Sequence, residues 1–320
     1  MSFWDTTARP IFVLAPMADV TDAAFRRVIA KYSKVADGVP YITWTEFVSA
    51  DGLARAPEEG KKKLLADLMY TDAERPIVAQ FFGSNPENME YAARLAHELG
   101  FDGVDINMGC PDKSIEKQGA GAAHIKNPVR AREVIAAAIR GAQGLPVSVK
   151  TRLGYNKDEL EEWLPVLLES GLAAVTIHAR TRKEMSLVPA RWERVQRAVE
   201  IRDEMKSSTL ILGNGDVQNV AHARTLIAET GADGAMLGRA IFGNPWLFSN
   251  HVPTLEEKLN VMVEHTKLFE ELLPHKSFMI MKKHYKAYVN GFDGAAELRA
   301  ELMQASDALH VEAIVTRWLE

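Results

Sequence analysis

A single cysteine, Cys110, stands in Asn107-Met108-Gly109-Cys110-Pro111, directly after the apolar run Gly103-Val104-Asp105-Ile106 and before Gly119-Ala120-Gly121-Ala122. Most free cysteines are small buried hydrophobes. Here the flanking glycine and proline argue instead for a loop at a strand end. A thiol in that position can do chemistry. With a reference pKa of about 8.5 it is mostly protonated at neutral pH and can serve as an acid.

Polar residues close the other apolar runs as well. Pro16-Met17-Ala18 end the first, Thr45-Glu46 the second, Gln80 the third, Lys150 and Arg152 the fifth, and His178 and Arg180 the sixth. Asn214-Gly215-Asp216 end the seventh and Gly238-Arg239 the eighth. Taken singly, Lys150 reads equally well as a snorkelling lysine and His178 as a hydrogen-bonded core histidine. Together they describe one layer of a site. Gly213-Asn214-Gly215-Asp216 with Gly238-Arg239 suits a phosphate held on backbone N–H groups and gripped by Arg239. That phosphate belongs either to a substrate or to FMN. A cation on the fifth run and a histidine on the sixth suit the N1/O2 edge of a flavin, where negative charge collects on reduction.

The elements that must carry these residues are short apolar runs over 11–18, 41–47, 76–82, 103–109, 146–153, 173–180, 209–216 and 234–240. Each reads as a buried parallel strand. Helical patterns lie between them, among them 86–99, capped by Ser84 or Asn85, and 129–140, opened by Asn127-Pro128. Eight strand–helix units predict a (β/α)8 TIM barrel, whose chemistry sits at the C-terminal strand ends. An open doubly wound sheet would need an early Gly-x-Gly-x-x-Gly, and residues 15–20 read Ala-Pro-Met-Ala-Asp-Val instead. After Phe248 the alternation stops, and Ser249-Asn250-His251-Val252-Pro253 reads as a linker. The expected organisation is a barrel over 1–250 and a small all-helical C-terminal domain over 251–320.

A chain of 320 residues has room for both. One cysteine excludes an internal disulfide framework and fits a reducing compartment. Met1-Ser2-Phe3-Trp4-Asp5 does not resemble a secretory leader, and no apolar run is long enough to cross a bilayer. The expectation is a cytoplasmic monomer without a metal. A net charge of -5 means that any nucleic-acid binding rests on a local basic patch.

These residues resemble the tRNA-dihydrouridine synthase family. The resemblance runs from Leu14-Ala15-Pro16-Met17 through Thr45-Glu46-Phe47, Gln80-Phe81-Phe82-Gly83, Asp105-Ile106-Asn107-Met108-Gly109-Cys110-Pro111 with Lys113, and Gly119-Ala120-Gly121-Ala122. It continues through Val149-Lys150-Thr151-Arg152, His178-Ala179-Arg180-Thr181, Asn214-Gly215-Asp216 and Gly238-Arg239 into Tyr288-Val289-Asn290-Gly291-Phe292. The resemblance implies an FMN enzyme that reduces the C5–C6 double bond of uridine in tRNA, with NADPH or NADH recharging the flavin. It assigns Pro16, Met17, Ala18, Gln80, Lys150, His178, Asn214, Gly215, Asp216, Gly238 and Arg239 to the FMN site. It makes Cys110 the acid that protonates C5 after hydride reaches C6. Asn107, Lys113 and Arg180 are expected to meet the substrate.

Two departures from the family stand out. His124-Ile125 replaces two aliphatic residues, and His124 is expected to be a solvated loop histidine. After Arg180-Thr181-Arg182, the stretch Met185-Ser186-Leu187-Val188-Pro189-Ala190-Arg191-Trp192 keeps only the Ala and Trp of the usual pattern. For the RNA, His275-Lys276 and a helical face of Lys282, Lys283 and Lys286 form the candidate basic patch. A stacked uridine must be flipped out to react, which calls for such a surface. Other readings are a dihydroorotate dehydrogenase-like FMN enzyme acting on a free pyrimidine, a Schiff-base aldolase using Lys150, and a non-catalytic RNA-binding protein.

Overall fold

Eight strands form one all-parallel sheet: β1 (Ile11–Leu14), β2 (Thr43–Ser49), β3 (Ile77–Phe82), β4 (Gly103–Asn107), β5 (Val147–Arg152), β6 (Ala174–His178), β7 (Leu210–Asn214) and β8 (Gly234–Leu237). The computed structural model describes residues 2–320. The strand order is β1-β8-β7-β6-β5-β4-β3-β2, so from β2 onward every strand pairs with its successor, and β1 lies beside β8. A bridge between Val13 and Ile42, flanked by Leu14 N–H donating to Ile42 O at 2.9 Å, joins β1 to the start of β2. The result is the expected TIM barrel. Strands covered on both faces read as continuous apolar runs, which makes them legible in the sequence.

The expected runs overshoot the ladders at their C-terminal ends. Pro16-Met17-Ala18, Gly109, Gly215-Asp216 and Gly238-Arg239 all leave the sheet for the following loops. Proline cannot donate to a ladder and glycine weakens one, so such residues turn outward at the rim, where they line the mouth.

The barrel is stoppered at its other end. A helical turn at Phe3–Thr6 puts Trp4 under the strands, 4% exposed and 6.0 Å from the Trp44 ring, in an interior cluster with Ile11, Val13, Val78, Leu212 and Met236. The outer helices are α1 (Ala23–Ser33), α2 (Ala50–Arg55), α3 (Glu58–Asp67), α4 (Pro86–Glu98), α5 (Pro128–Gly141), α6 (Leu160–Leu168), α7 (Trp192–Glu204) and α8 (Val220–Thr230). The cap of α4 is Asn85, whose side chain accepts from Asn88 N–H at 3.0 Å. Proline follows the cap in both α4 and α5, where its fixed φ suits the first turn.

Beyond the barrel lie α9 (Leu255–Leu272), α10 (Met281–Tyr288), α11 (Ala295–Leu302) and α12 (Ala308–Leu319). Helix α9 opens with a capping box of Thr254 and Glu257, immediately after the expected linker. It lies against α1, where Lys31 and Tyr32 each reach Glu264 at 2.7 Å and Phe25 stacks on His265 with ring centroids 4.6 Å apart. The apolar residues of the helical part join those outside the barrel strands in one continuous buried cluster. No helix among the described residues is long and apolar enough to cross a membrane.

Candidate active site

A cavity of about 750 Å³ opens at the C-terminal ends of β1, β5, β6, β7 and β8. Its wall brings together Pro16, Met17, Lys150, His178, Asn214, Gly215, Asp216, Gly238 and Arg239, residues up to 223 positions apart that share only their place at a strand end. That size suits a cofactor-sized ligand. Ala18 and Gln80 lie outside the wall. Gln80 is fully buried beneath it, with its amide engaged by Asp105 and Asn107.

The cavity is strongly cationic. Burial pulls the Lys150 ammonium down to about 8, helped by Arg152. Burial together with Lys150, Arg152, Arg180 and Arg239 holds His178 far below the ordinary imidazole range, so it is neutral. Arg239 Nη2 donates to Asp216, and Arg180 donates to the other oxygen of that carboxylate. The side chain of Arg180, expected at the substrate, is only 3% exposed. It is a bracket: it also donates to Val188 O and lies 3.0 Å from His178 Nε2.

The loop after β6 is fastened to the loop after β7. Ala190 N–H donates to Asp216 at 2.8 Å, and Trp192 Nε1 donates to Gly215 O at 2.9 Å, so both residues anchor the β7 loop. The divergent residues form the tip, where Leu187 is 84% exposed.

Cys110 sits half-buried on a loop tied to the barrel interior by a chain of side chains. Ser148 Oγ donates to Asp105 at 2.6 Å, and Gln80 Nε2 donates to the other oxygen of Asp105 at 2.6 Å. Asn107 Nδ2 donates to Gln80 Oε1 at 3.2 Å, while Asn107 Oδ1 accepts from Gly109 N–H at 3.1 Å and Cys110 N–H at 2.9 Å. Asn107, expected at the substrate, is therefore first the residue that shapes the thiol loop. Arg152 clasps the same loop, donating to Gly109 O at 2.8 Å and to Thr181 O and Met185 O beyond. Burial raises the thiol pKa above its ordinary value, which outweighs the pull of Arg152 and Lys150. The thiol keeps its proton at neutral pH.

Asp105 and Arg152 have roles that motif and spacing do not assign. A carboxylate inside an otherwise apolar strand is the available signal, because such a group is buried only when hydrogen-bonded. Burial raises Asp105 to about 6 against those bonds.

The remaining expectations need correction or placing. His124 is not solvated: it is fully buried, Nε2 lies 3.0 Å from Gly83 O, and burial lowers it to about 4. Lys113 is exposed on the turn after Cys110. Of the three helical lysines, Lys282 is half-buried and donates to Met303 O, Lys283 is half-buried within the field of Asp19, Glu46 and Asp22, and Lys286 is exposed. Lys276 is largely buried, 2.7 Å from Glu46 and 3.0 Å from Asp67, and so is no part of a basic surface. Among the described residues no three His, Cys, Asp or Glu side chains are arranged to hold a metal ion.

The family model described as Dihydrouridine synthase (Dus) matches residues 13–317. The chain is 39% identical over 319 residues to "Probable tRNA-dihydrouridine synthase 2" of Bacillus subtilis (strain 168), covering 98% of this chain and 95% of the relative. It is 37% identical to "Probable tRNA-dihydrouridine synthase" of Staphylococcus aureus (strain MRSA252), covering 98% and 94%. Among solved structures, histamine dehydrogenase from Rhizobium sp. 4-9 shares the fold with a TM-score of 0.54 at 12% identity, over 80% of this chain and 48% of that one. A 2-naphthoyl-CoA reductase complex does so with 0.52 at 14% identity, over 74% and 49%.

Proposed function

The chain belongs to the dihydrouridine synthase family, and on that premise we propose that it is an FMN-dependent, NADPH- or NADH-driven enzyme reducing the C5–C6 double bond of specific uridines in tRNA. The observation that carries this is the single cavity that unites the strand-end residues, with a protonated thiol on a loop built against the same strands.

The cavity fits FMN on its own chemistry. Arg239 and the backbone at Gly215 and Gly238 suit a phosphate, and Lys150 suits an anionic ring edge. Gly215 (φ +124) tolerates no side chain, because a Cβ there would stand 2.8 Å from Ala190 Cβ. At Gly238 a Cβ would take up cavity space beside Ala15 and Met17. Pro16, Met17, Ala18, His178, Asn214 and Asp216 complete the cofactor residues, with Gln80 supporting them from below. When bound, FMN supplies the hydride for uracil C6.

The protein's own residues do the rest. Cys110 holds the proton that C5 receives, and burial keeps the thiol protonated at the pH where it is needed. Asn107 and Arg152 fix the loop, so the acid is presented in one place rather than searched for. Arg180 keeps His178 and Asp216 in register. The barrel of residues 1–250 performs the chemistry, and the helical part of 251–320 docks tRNA. Lys286 is the member of its lysine set left to meet a phosphate, and Lys113 at the mouth is a second backbone contact. One chain completes the cavity, which fits a cytoplasmic monomer.

Mass-spectrometric mapping of dihydrouridine in RNA from cells with and without this protein tests the reading. Loss of dihydrouridine at defined tRNA positions is expected. An unchanged map overturns it.

A further inference from the structure

We propose that Glu46, clamped by Lys276 of the helical part, is a positioning residue for the loop after β1 that walls the cofactor cavity. The inference rests on the reading that this cavity holds FMN.

Strand β2 carries a bulge. Trp44 pairs with Val78 but Phe47 with Gln80, so one extra residue is accommodated between them. Thr45 Oγ1 takes up the slack, accepting from Gln80 N–H at 3.0 Å and donating to Glu46 O at 2.8 Å. Bulges re-aim side chains. Here Glu46 leaves the sheet for the β1 loop, where Oε1 accepts the Asp19 N–H. Asp19 has φ 53, in the left-handed region that non-glycine residues enter at a cost. Its conformation persists because something holds it.

The loop passes that constraint to the cavity. Met17, which lines the wall, is tied to the far end of the same turn: its N–H donates to Thr21 Oγ1 at 2.9 Å, and its carbonyl accepts from Val20 and Thr21 N–H at 3.0 Å each. The other oxygen of Glu46 faces the helical part, where Lys276 Nζ stands 2.7 Å away and also 3.0 Å from Asp67. Lys276 is 11% exposed and Glu46 6%. A buried pair like this adds little net stability over apolar residues of similar size. Its retention is explained by what the carboxylate does on its other side. The contact therefore runs from the helical part through Glu46 to Asp19 and Met17, so the elements that flank the RNA-docking helices also set the cofactor wall.

Two measurements on Glu46→Ala and Lys276→Met test this. In hydrogen–deuterium exchange, the peptide spanning residues 16–21 is expected to exchange about tenfold faster or more in Glu46→Ala, the size expected for losing a charged acceptor. Peptides from β3 to β5 should stay unchanged. In fluorescence titration of flavin-stripped protein, the FMN Kd should rise about tenfold in Glu46→Ala and less in Lys276→Met. The double variant Glu46→Gln with Lys276→Met removes both charges but keeps an acceptor for Asp19. It should return FMN affinity to within about threefold of the starting protein, whereas Glu46→Ala with Lys276→Met, which removes the charges and the acceptor alike, should stay about tenfold weaker; equal affinity of the two double variants would make the pair merely structural and overturn the proposal. Should Glu46→Ala fail to fold, Glu46→Gln takes its place, with an intermediate rise in Kd expected. Wild-type exchange at 16–21 in folded Glu46→Ala overturns the proposal. Failure of the unaltered protein to bind FMN would sink the cofactor reading instead, and exchange alone would then decide the role of Glu46.

Discussion

Gly121→Ala is the sharpest test of how the thiol loop is built. Gly121 has φ +60, and a Cβ there would stand 2.7 Å from Cys110 O, 3.0 Å from Ile115 Cγ2 and 3.3 Å from Cys110 Cβ. Alanine pays about 1–2 kcal/mol for the left-handed backbone. The Cys110 carbonyl must also retreat by roughly 0.5 Å to relieve most of the overlap. That carbonyl is held by Ala122 N–H at 3.0 Å and the Cys110 amide by Asn107, so the displacement cannot be absorbed locally and the thiol moves with it. A misplacement of about 1 Å can cost about 10²-fold, so half of that should cost about tenfold. Stopped-flow absorbance separates the two halves of the cycle. Oxidation of the reduced flavin by tRNA should slow about tenfold in Gly121→Ala, while flavin reduction by NADPH stays within about twofold of wild type. Urea unfolding should show a loss of about 1–3 kcal/mol. Wild-type oxidation by tRNA in a variant destabilised by that amount would refute the idea that Gly121 places Cys110.

Cys110→Ala should fold, bind FMN and accept electrons, yet its oxidation by tRNA should slow by about 10²- to 10⁴-fold, the usual cost of a lost general acid. Oxidation at the wild-type rate would make Cys110 a structural thiol. Arg239→Ala should lower FMN retention through gel filtration, because Arg239 reaches the cavity from a side chain that is 67% exposed and tied only to Asp216. Full retention would move the phosphate site elsewhere. His124 makes a pH-dependent contribution that its replacement should abolish. The buried imidazole titrates near 4 against an unfolded value of 6.5, so between those values the unfolded chain binds a proton that the folded one refuses, and stability falls as pH drops. Between about pH 8 and about pH 5 the wild type should therefore lose about 2 kcal/mol relative to His124→Leu, read from paired urea titrations. A difference that does not vary with pH would mean that His124 takes up its proton as readily in the fold as in the unfolded chain.

Much of this molecule is written in its sequence. Parallel strands covered on both faces are unbroken apolar runs, and the residues that break them, Pro16, Gly109, Gly215 and Gly238, mark where the chain turns out of the sheet. Barrel geometry then places the strand ends on one rim, which is why residues named from the ends of β1, β5, β6, β7 and β8 line one cavity. What the sequence does not disclose is which polar group answers which. Arg180 reads as a substrate contact, and in the fold it lines the cavity while bracketing Asp216 and His178. Lys276 reads as part of a basic surface and is locked on Glu46, 230 residues away in the chain. His124 reads as solvated and is enclosed against Gly83. Periodicity and turn residues are local properties, so the chain carries them on its face. The partner of a buried charge is set by which helix packs over which strand end, and only the folded chain makes that choice, because burial without a partner costs more than any local preference can supply.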